Sequence, residues 1–280
     1  MNAISARKWR SDRRGSPPRP LALRLQEGFS APEWPDCDRP AFVRQWSDLA
    51  CAAVSPNPFN EPWFALPGLR AFDPEGDVRI ASLVKDGRLV GLLPVTASTR
   101  YHGRPLPHLA GWGHANCFCG EPLILPGFEQ EFWRGLLAWA DRESGFATFF
   151  HLRGIPADSP TLRALYSVCE HQGRAFAIVH REDRAVLNHG LSPVEHLAAA
   201  ASKKRRKDWS RRLRRLGEEG DLRFSRHDDA QGLETWIEEF LALERTGWKG
   251  AENSALACDP RTEALFRDSL TGAAQFGRLQ

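Results

Sequence analysis

A mixed α/β layer architecture is what this sequence predicts, and three observations carry the prediction. Between residues 21 and 190, apolar runs that alternate with period two take turns with apolar stripes at helical spacing. Asp86-Gly87 stands between two such strand-like runs, a strong short-range hairpin signal. Prolines and glycines fall where helices should begin and end, with Pro40 and Pro193 as first helical residues and Gly173 just past a helical run.

The elements follow in order. LALRLQEGF (21–29) alternates apolar and polar residues and reads as the first strand. Pro32 and Pro35 punctuate it, and Pro40 opens a helix with Phe42, Trp46, Leu49 and Ala53 on one side. SPNPFNEP is a loop, and EPWFALPGLRAF a short helix broken at Pro67-Gly68. VRIASLVKDGRLVGLLPVTAST gives two strands around Lys85-Asp86-Gly87. The irregular stretch YHGRPLPHLAGWGHANCFCGEPLI ends in another strand. An amphipathic helix, FEQEFWRGLLAWADRE, turns Phe132, Leu136, Leu137 and Ala140 inward. ATFFHLRGI reads as a buried strand, TLRALYSVCEHQG as a helix and RAFAIVHREDRAVLN as a strand or strand pair. After a break at 188–193, a helix starts with Ser192 as N-cap. Beyond it the opening order recurs: a strand LRFSRH (222–227), a helix LETWIEEFLALERTG and a helix within DPRTEALFRDSLTGAAQFG.

The chemistry of the chain concentrates in SKKRRKDWSRRLRRL. Nine of the thirteen residues from Lys203 to Arg215 are Lys or Arg, and Trp209, Leu213 and Leu216 recur at helical spacing, with Gly217 expected as the stop. The net charge of the whole chain is only +3, so this is a local basic patch in a nearly balanced molecule. Residues 1–20 are Arg-rich without a following apolar run, which reads as a disordered basic tail rather than a secretory signal. No apolar run approaches the ~20 residues of a membrane span. The six cysteines show no disulfide-framework spacing, so a cytoplasmic location is expected.

Three stretches resemble the CelD-like acyltransferases of the GNAT superfamily, relatives of the FemAB peptidyltransferases. They are the order of elements in 21–190, the segment KKRRKDWSRRLRRLGEEGDLRFSR, and FLALERTGWKG followed by a helix and FGRL. The resemblance implies two tandem GNAT-like halves, each with a mixed sheet flanked by helices. Residues 21–190 would be the first, 191–220 a basic linker helix, and 221–280 the start of a second that is incomplete at Gln280. It also implies transfer of an acyl group, from acetyl-CoA or another acyl-CoA, to an amine or hydroxyl of a cell-envelope or polysaccharide precursor. The family's phosphate-cradling glycine loop is not matched, because AGWGHANCFCG lacks its spacing.

Lys203, Lys204, Arg205 and Arg206 are the candidate phosphate-binding residues, since Arg and Lys both suit phosphate oxygens. The competing reading is a solvated linker helix whose aliphatic stems cover apolar surface. Trp248 and Lys249 lie between Gly247 and Gly250, where the resemblance implies a substrate-facing lysine; Glu244 could orient it or act as a base. No catalytic base is assigned. His114, Cys117 and Cys119 read as loop packing rather than a zinc site, and His102, His108 and His151 as isolated histidines. The alternative from another class is a non-catalytic basic binding module or truncated fragment that binds nucleic acid through phosphate contacts. No zinc-finger, RRM or KH pattern accompanies the helix to favour that alternative. Residues 222–280 are expected to pack poorly, or to borrow a surface from another chain in a homo-oligomer.

Overall fold

The structure is a computed structural model and describes residues 26–143, 145–185, 190–226 and 229–279. The expected basic tail and the first residues of the expected opening strand lie outside the described residues. The fold class is the expected one, a mixed sheet flanked by helices. Six strands form it: β1 (Gly28–Ser30), β2 (Arg79–Lys85), β3 (Arg88–Ser98), β4 (His108–Gly111), β5 (Leu123–Ile124) and β6 (Phe150–His151). Their order is β1-β2-β3-β4-β6, with β5 pairing β3 off that path. All neighbours are antiparallel except β4 and β6, which run parallel through Leu109↔Phe150 and Ala110↔His151.

The β2–β3 hairpin closes through Asp86 (φ 50) and Gly87 (φ 71), the two positive-φ residues of a tight turn whose twist matches the strands. The Glu27 carboxylate accepts from the backbone N–H groups of both turn residues, at 3.1 and 3.2 Å. The helix α2 (Pro40–Ala52), which follows the single turn α1 (Trp34–Cys37), clamps the same hairpin. Its Gln45 accepts from Leu89 N–H at 2.8 Å and donates to Gly87 C=O at 3.2 Å. On α4 (Glu129–Glu143), Phe132 lies against Gly91 of β3, where a Cβ would come within 2.4 Å of the ring. Trp46, Phe132, Trp133 and Leu136 are fully buried between these layers.

Three expectations about helices need correction. The helix expected to break at Pro67-Gly68 runs unbroken as α3 (Pro62–Phe72). Gly68 is needed there because α3 presses on the His114 ring, and a Cβ would sit 2.8 Å from its Nε2. The helix expected to run on from Ser192 is two helices, α6 (Pro193–Ala200) and α7 (Lys203–Glu218). Ala201 is extended between them and Ser202 caps α7 through Arg205 N–H. Gly217 does not end α7, which passes through it to Glu218.

Two expected strands do not form. Residues 174–185 and 221–226 carry no strand pairing, and Phe176, Ile178, Val179 and Phe224 are exposed. Residues 186–189 lie outside the described residues. Alternating apolar residues give strand propensity, but a strand needs a neighbouring ladder for its N–H and C=O groups. After α5 (Pro160–His171), the chain instead turns at Gly173 and Arg174 pairs with Asp141 of α4.

Residues 229–279 belong to the same compact unit as the sheet, while residues 176–227, with α6 and α7, form a separate unit. In the first unit, α8 (Leu233–Thr246), the single turn α9 (Trp248–Ala251) and α10 (Pro260–Gln275) follow one another. Leu233, Ile237 and Leu241 form a small core with Phe240, Phe266 and Leu270. The expected lack of a packing surface is not what the structure shows, because α10 docks on α3. Pro67 brings no N–H to the Trp63 carbonyl four residues back, and Gly272 of α10 lies against that carbonyl, where a Cβ would be 3.1 Å away. Arg278 then donates to Glu61 at 2.9 Å.

Candidate functional site

The parallel pair β4 and β6 brings together histidines that stand far apart in the sequence. His108 on β4 stacks on Phe149 at 4.9 Å between ring centroids, and His151 on β6 lies 6.2 Å from His108. Tyr101 makes edge contacts with His102, His108, Phe149 and His151 at 4.4 to 5.3 Å. His102 is on the turn that closes with the Tyr101–Arg104 bridge, at φ 46. Burial, then the neighbouring His108, Arg153 and His102, hold the His151 imidazole below its ordinary pKa. The expectation that these histidines are isolated is therefore corrected: three of them surround one tyrosine.

At the carboxyl ends of β4 and β6, where parallel strands commonly open a crevice, the loop 112–120 closes down on the chain after β6. Gly120 N–H donates to Gly154 C=O at 3.2 Å, and a Cβ at Gly120 would come within 2.1 Å of Arg153 C=O. Arg153 donates to Gly113 C=O at 3.2 Å. Behind the loop, the Glu121 carboxylate accepts from Thr161 at 2.6 Å, and its backbone carbonyl accepts from Asn57 and Asn60 at 2.6 and 2.8 Å. All four of these side chains are buried.

His114 sits between the rings of Phe64 and Phe72, with centroids at 5.7 and 4.5 Å. Its Nδ1 accepts from Asn116 N–H at 3.3 Å, and its buried Nε2 has no hydrogen-bond partner. Burial pushes its pKa down to about 4. The ring is thus a packing element between α3 and the loop, and burial likewise raises the Cys117 thiol.

The sequence candidates fall in two places. Glu244 and Lys249 meet: Lys249 Nζ lies 2.6 Å from Glu244 Oε1, and Glu244 Oε2 accepts from Leu256 N–H at 2.8 Å. The Glu244 side chain is only 8% exposed. Burial alone would raise its pKa, but the Lys249 and Leu256 donors prevail and hold it below the ordinary range. A carboxylate so engaged orients Lys249 and closes the α8–α9 turn. Trp248 is 67% exposed. Gly250 is required by close approach, since a Cβ there would be 1.8 Å from Arg245 C=O.

Lys203, Lys204, Arg205 and Arg206 occupy the first turn of α7 in the other compact unit. Successive helical residues fan out by about 100°, so the four do not converge on one point. Lys204 and Arg205 line one shallow groove with Ser202 and Asp208, while Lys203 and Arg206 line another with Lys207, Ser210, Arg211 and Arg214. Among the described residues, the ion pairs of the helix are Arg211–Asp208, Arg212–Asp208 and Arg214–Glu218. Among the described residues, Lys203, Lys204, Arg205, Arg206, Lys207 and Arg215 have no carboxylate partner.

Residues 203–280 match the family model described as an acetyltransferase (GNAT) domain, a match that begins at the first residue of α7 and takes in α8 to α10. Over this part the chain is similar to domains that transfer acyl groups. Among solved structures it is similar to the apo aminoglycoside antibiotic 6'-N-acetyltransferase of Acinetobacter haemolyticus. That likeness has a TM-score of 0.32 and 15% identity, covering 59% of this chain and 99% of that one. No curated protein matches.

Proposed function

We propose that this protein is a GNAT-type acyltransferase that takes its acyl group, acetyl in the simplest case, from an acyl-CoA. The acceptor is an amine or hydroxyl of a cell-envelope or polysaccharide precursor. The family match that starts at Lys203 carries the reading. In the reaction the acceptor's nitrogen or oxygen attacks the thioester carbonyl, the C–S bond breaks and the CoA thiolate leaves. The acceptor's proton passes to a base or to water. The chain's own contribution is placement. The cations Lys203, Lys204, Arg205 and Arg206, which lack carboxylate partners, suit the phosphates of the donor. On the acceptor side, Trp248 offers an exposed aromatic face beside Lys249, which Glu244 orients. Glu244 already accepts two hydrogen bonds, so it positions rather than takes the proton.

In this reading residues 21–190 and 221–280 belong to two GNAT-like halves joined by the basic segment 191–220. A reducing cytoplasm is the location this reading expects. No helix among the described residues is long and apolar enough to cross a membrane. The test is calorimetric titration of the full chain with acetyl-CoA, beside a variant with Lys203, Lys204, Arg205 and Arg206 changed to Ala. The expected result is saturable binding that weakens at least about tenfold in the variant, the scale of one or two lost charge-assisted contacts. Absence of binding by the unaltered chain overturns the proposal.

A further inference from the structure

The compact unit 176–227 holds eleven of the eighteen exposed large apolar side chains among the described residues, and three of them lie on α7. Trp209, Leu213 and Leu216 are 44%, 50% and 53% exposed. At about 100° per residue they fall within an arc of about 60°. Arg205 and Arg212 border that arc on one side and Arg206 on the other, and the remaining cations continue around the back of the helix. A narrow apolar stripe with arginines on both edges is the pattern of a helix that lies in a membrane interface.

We propose that α7 is a peripheral membrane-binding helix that lays its Trp209–Leu213–Leu216 stripe into an anionic phospholipid surface. Charge complementarity selects this occupant. Arg205 and Arg206, one on each edge of the stripe, have no carboxylate partner among the described residues. A sheet of lipid phosphates meets both edges of the stripe, and the acyl region just beneath it receives the stripe itself. A nucleic-acid backbone would satisfy the cations but leave the Trp and the two Leu in water. Arginine guanidinium groups at the stripe's edges suit lipid phosphates, and Trp suits the headgroup level. The inference does not depend on the acyltransferase reading, and it concerns the stripe rather than the donor's phosphate contacts.

The test is co-sedimentation of the full chain with vesicles of phosphatidylglycerol and phosphatidylcholine in equal parts, and with phosphatidylcholine alone. The chain is expected to pellet with the anionic vesicles and to bind the neutral ones at least about tenfold more weakly. The double variant L213E/L216E keeps every cation and alters only exposed positions. It should lose at least about tenfold in binding to anionic vesicles, keep its far-UV circular dichroism and keep its acetyl-CoA titration. Failure of the unaltered chain to pellet overturns the proposal, as does equal pelleting by the double variant, which would leave only nonspecific charge attraction. A DNA duplex that strips the chain from vesicles, and binds the double variant as tightly as the original, also overturns it in favour of a nucleic-acid partner.

Discussion

His114 shows how one residue's surroundings set a measurable property. Stacked between Phe64 and Phe72 with its Nε2 buried, it takes a proton only near pH 4, whereas an imidazole in the unfolded chain takes one near 6.5. Between those values the unfolded state binds more protons, so this contribution is fully present above pH 6.5 and is lost as pH falls toward 4. Because the ring is only partly buried, the full shift is discounted to about 1 kcal/mol. Urea unfolding should show stability falling across this window, and His114→Leu should flatten that part of the slope. An unchanged slope in the variant would assign the dependence to other groups. Nothing in the local sequence AGWGHANCFCG marks this histidine, because its stacking partners come from α3.

At the scale of elements, the Ser192 cap and the β2–β3 hairpin are legible in the sequence, and the other strand pairings are not. Ser192 and Pro193 start α6 as expected, with a capping box completed by Glu195. Ser202, expected inside a continuous helix, is a second N-cap, so its role was missed although Ser-Lys-Lys-Arg permits it. Ser202→Ala should remove the oxygen that accepts from Arg205 N–H and destabilise α7 by about 1 kcal/mol. Residue-resolved amide exchange would show faster exchange in the first turn of α7, with α6 unaffected; equal protection would mean that Ser202 caps nothing. The stretches 174–185 and 221–226 had good strand patterns and formed no strand. A pattern of alternating apolar residues states a preference, and a ladder requires a neighbour that the pattern cannot name.

The whole molecule is decided by contacts of long sequence separation. Docking of α10 on α3 depends on a carbonyl that Pro67 leaves without its helical donor and on Gly272, which has no Cβ to keep the helices apart. Gly272→Val should push α10 from α3 and break the Arg278–Glu61 pair, at a cost of about 1–3 kcal/mol. Hydrogen exchange across 229–279 would rise in the variant while residues 79–98 of the β2–β3 hairpin stay protected. If both regions change together, the C-terminal helices and the sheet unfold as one cooperative unit. The exposed Trp236, Leu243 and Trp248 leave room for the expected self-association. Sedimentation velocity over a concentration series tests it directly.

The sequence by itself determined what acts over a few residues. It fixed the mixed α/β class, the Asp86-Gly87 turn, the helices at 40–52, 129–143, 233–246 and 260–275, and the basic character of α7. These follow from backbone preferences and apolar periodicity, which neighbouring residues set together. Tertiary structure alone decided that His102, His108 and His151 gather around Tyr101, that Glu121 anchors the loop after β4, and that α10 finds α3. Each of these joins elements whose separation along the chain carries no local signal. They arise where buried surfaces must match in shape and where most buried polar groups find a partner.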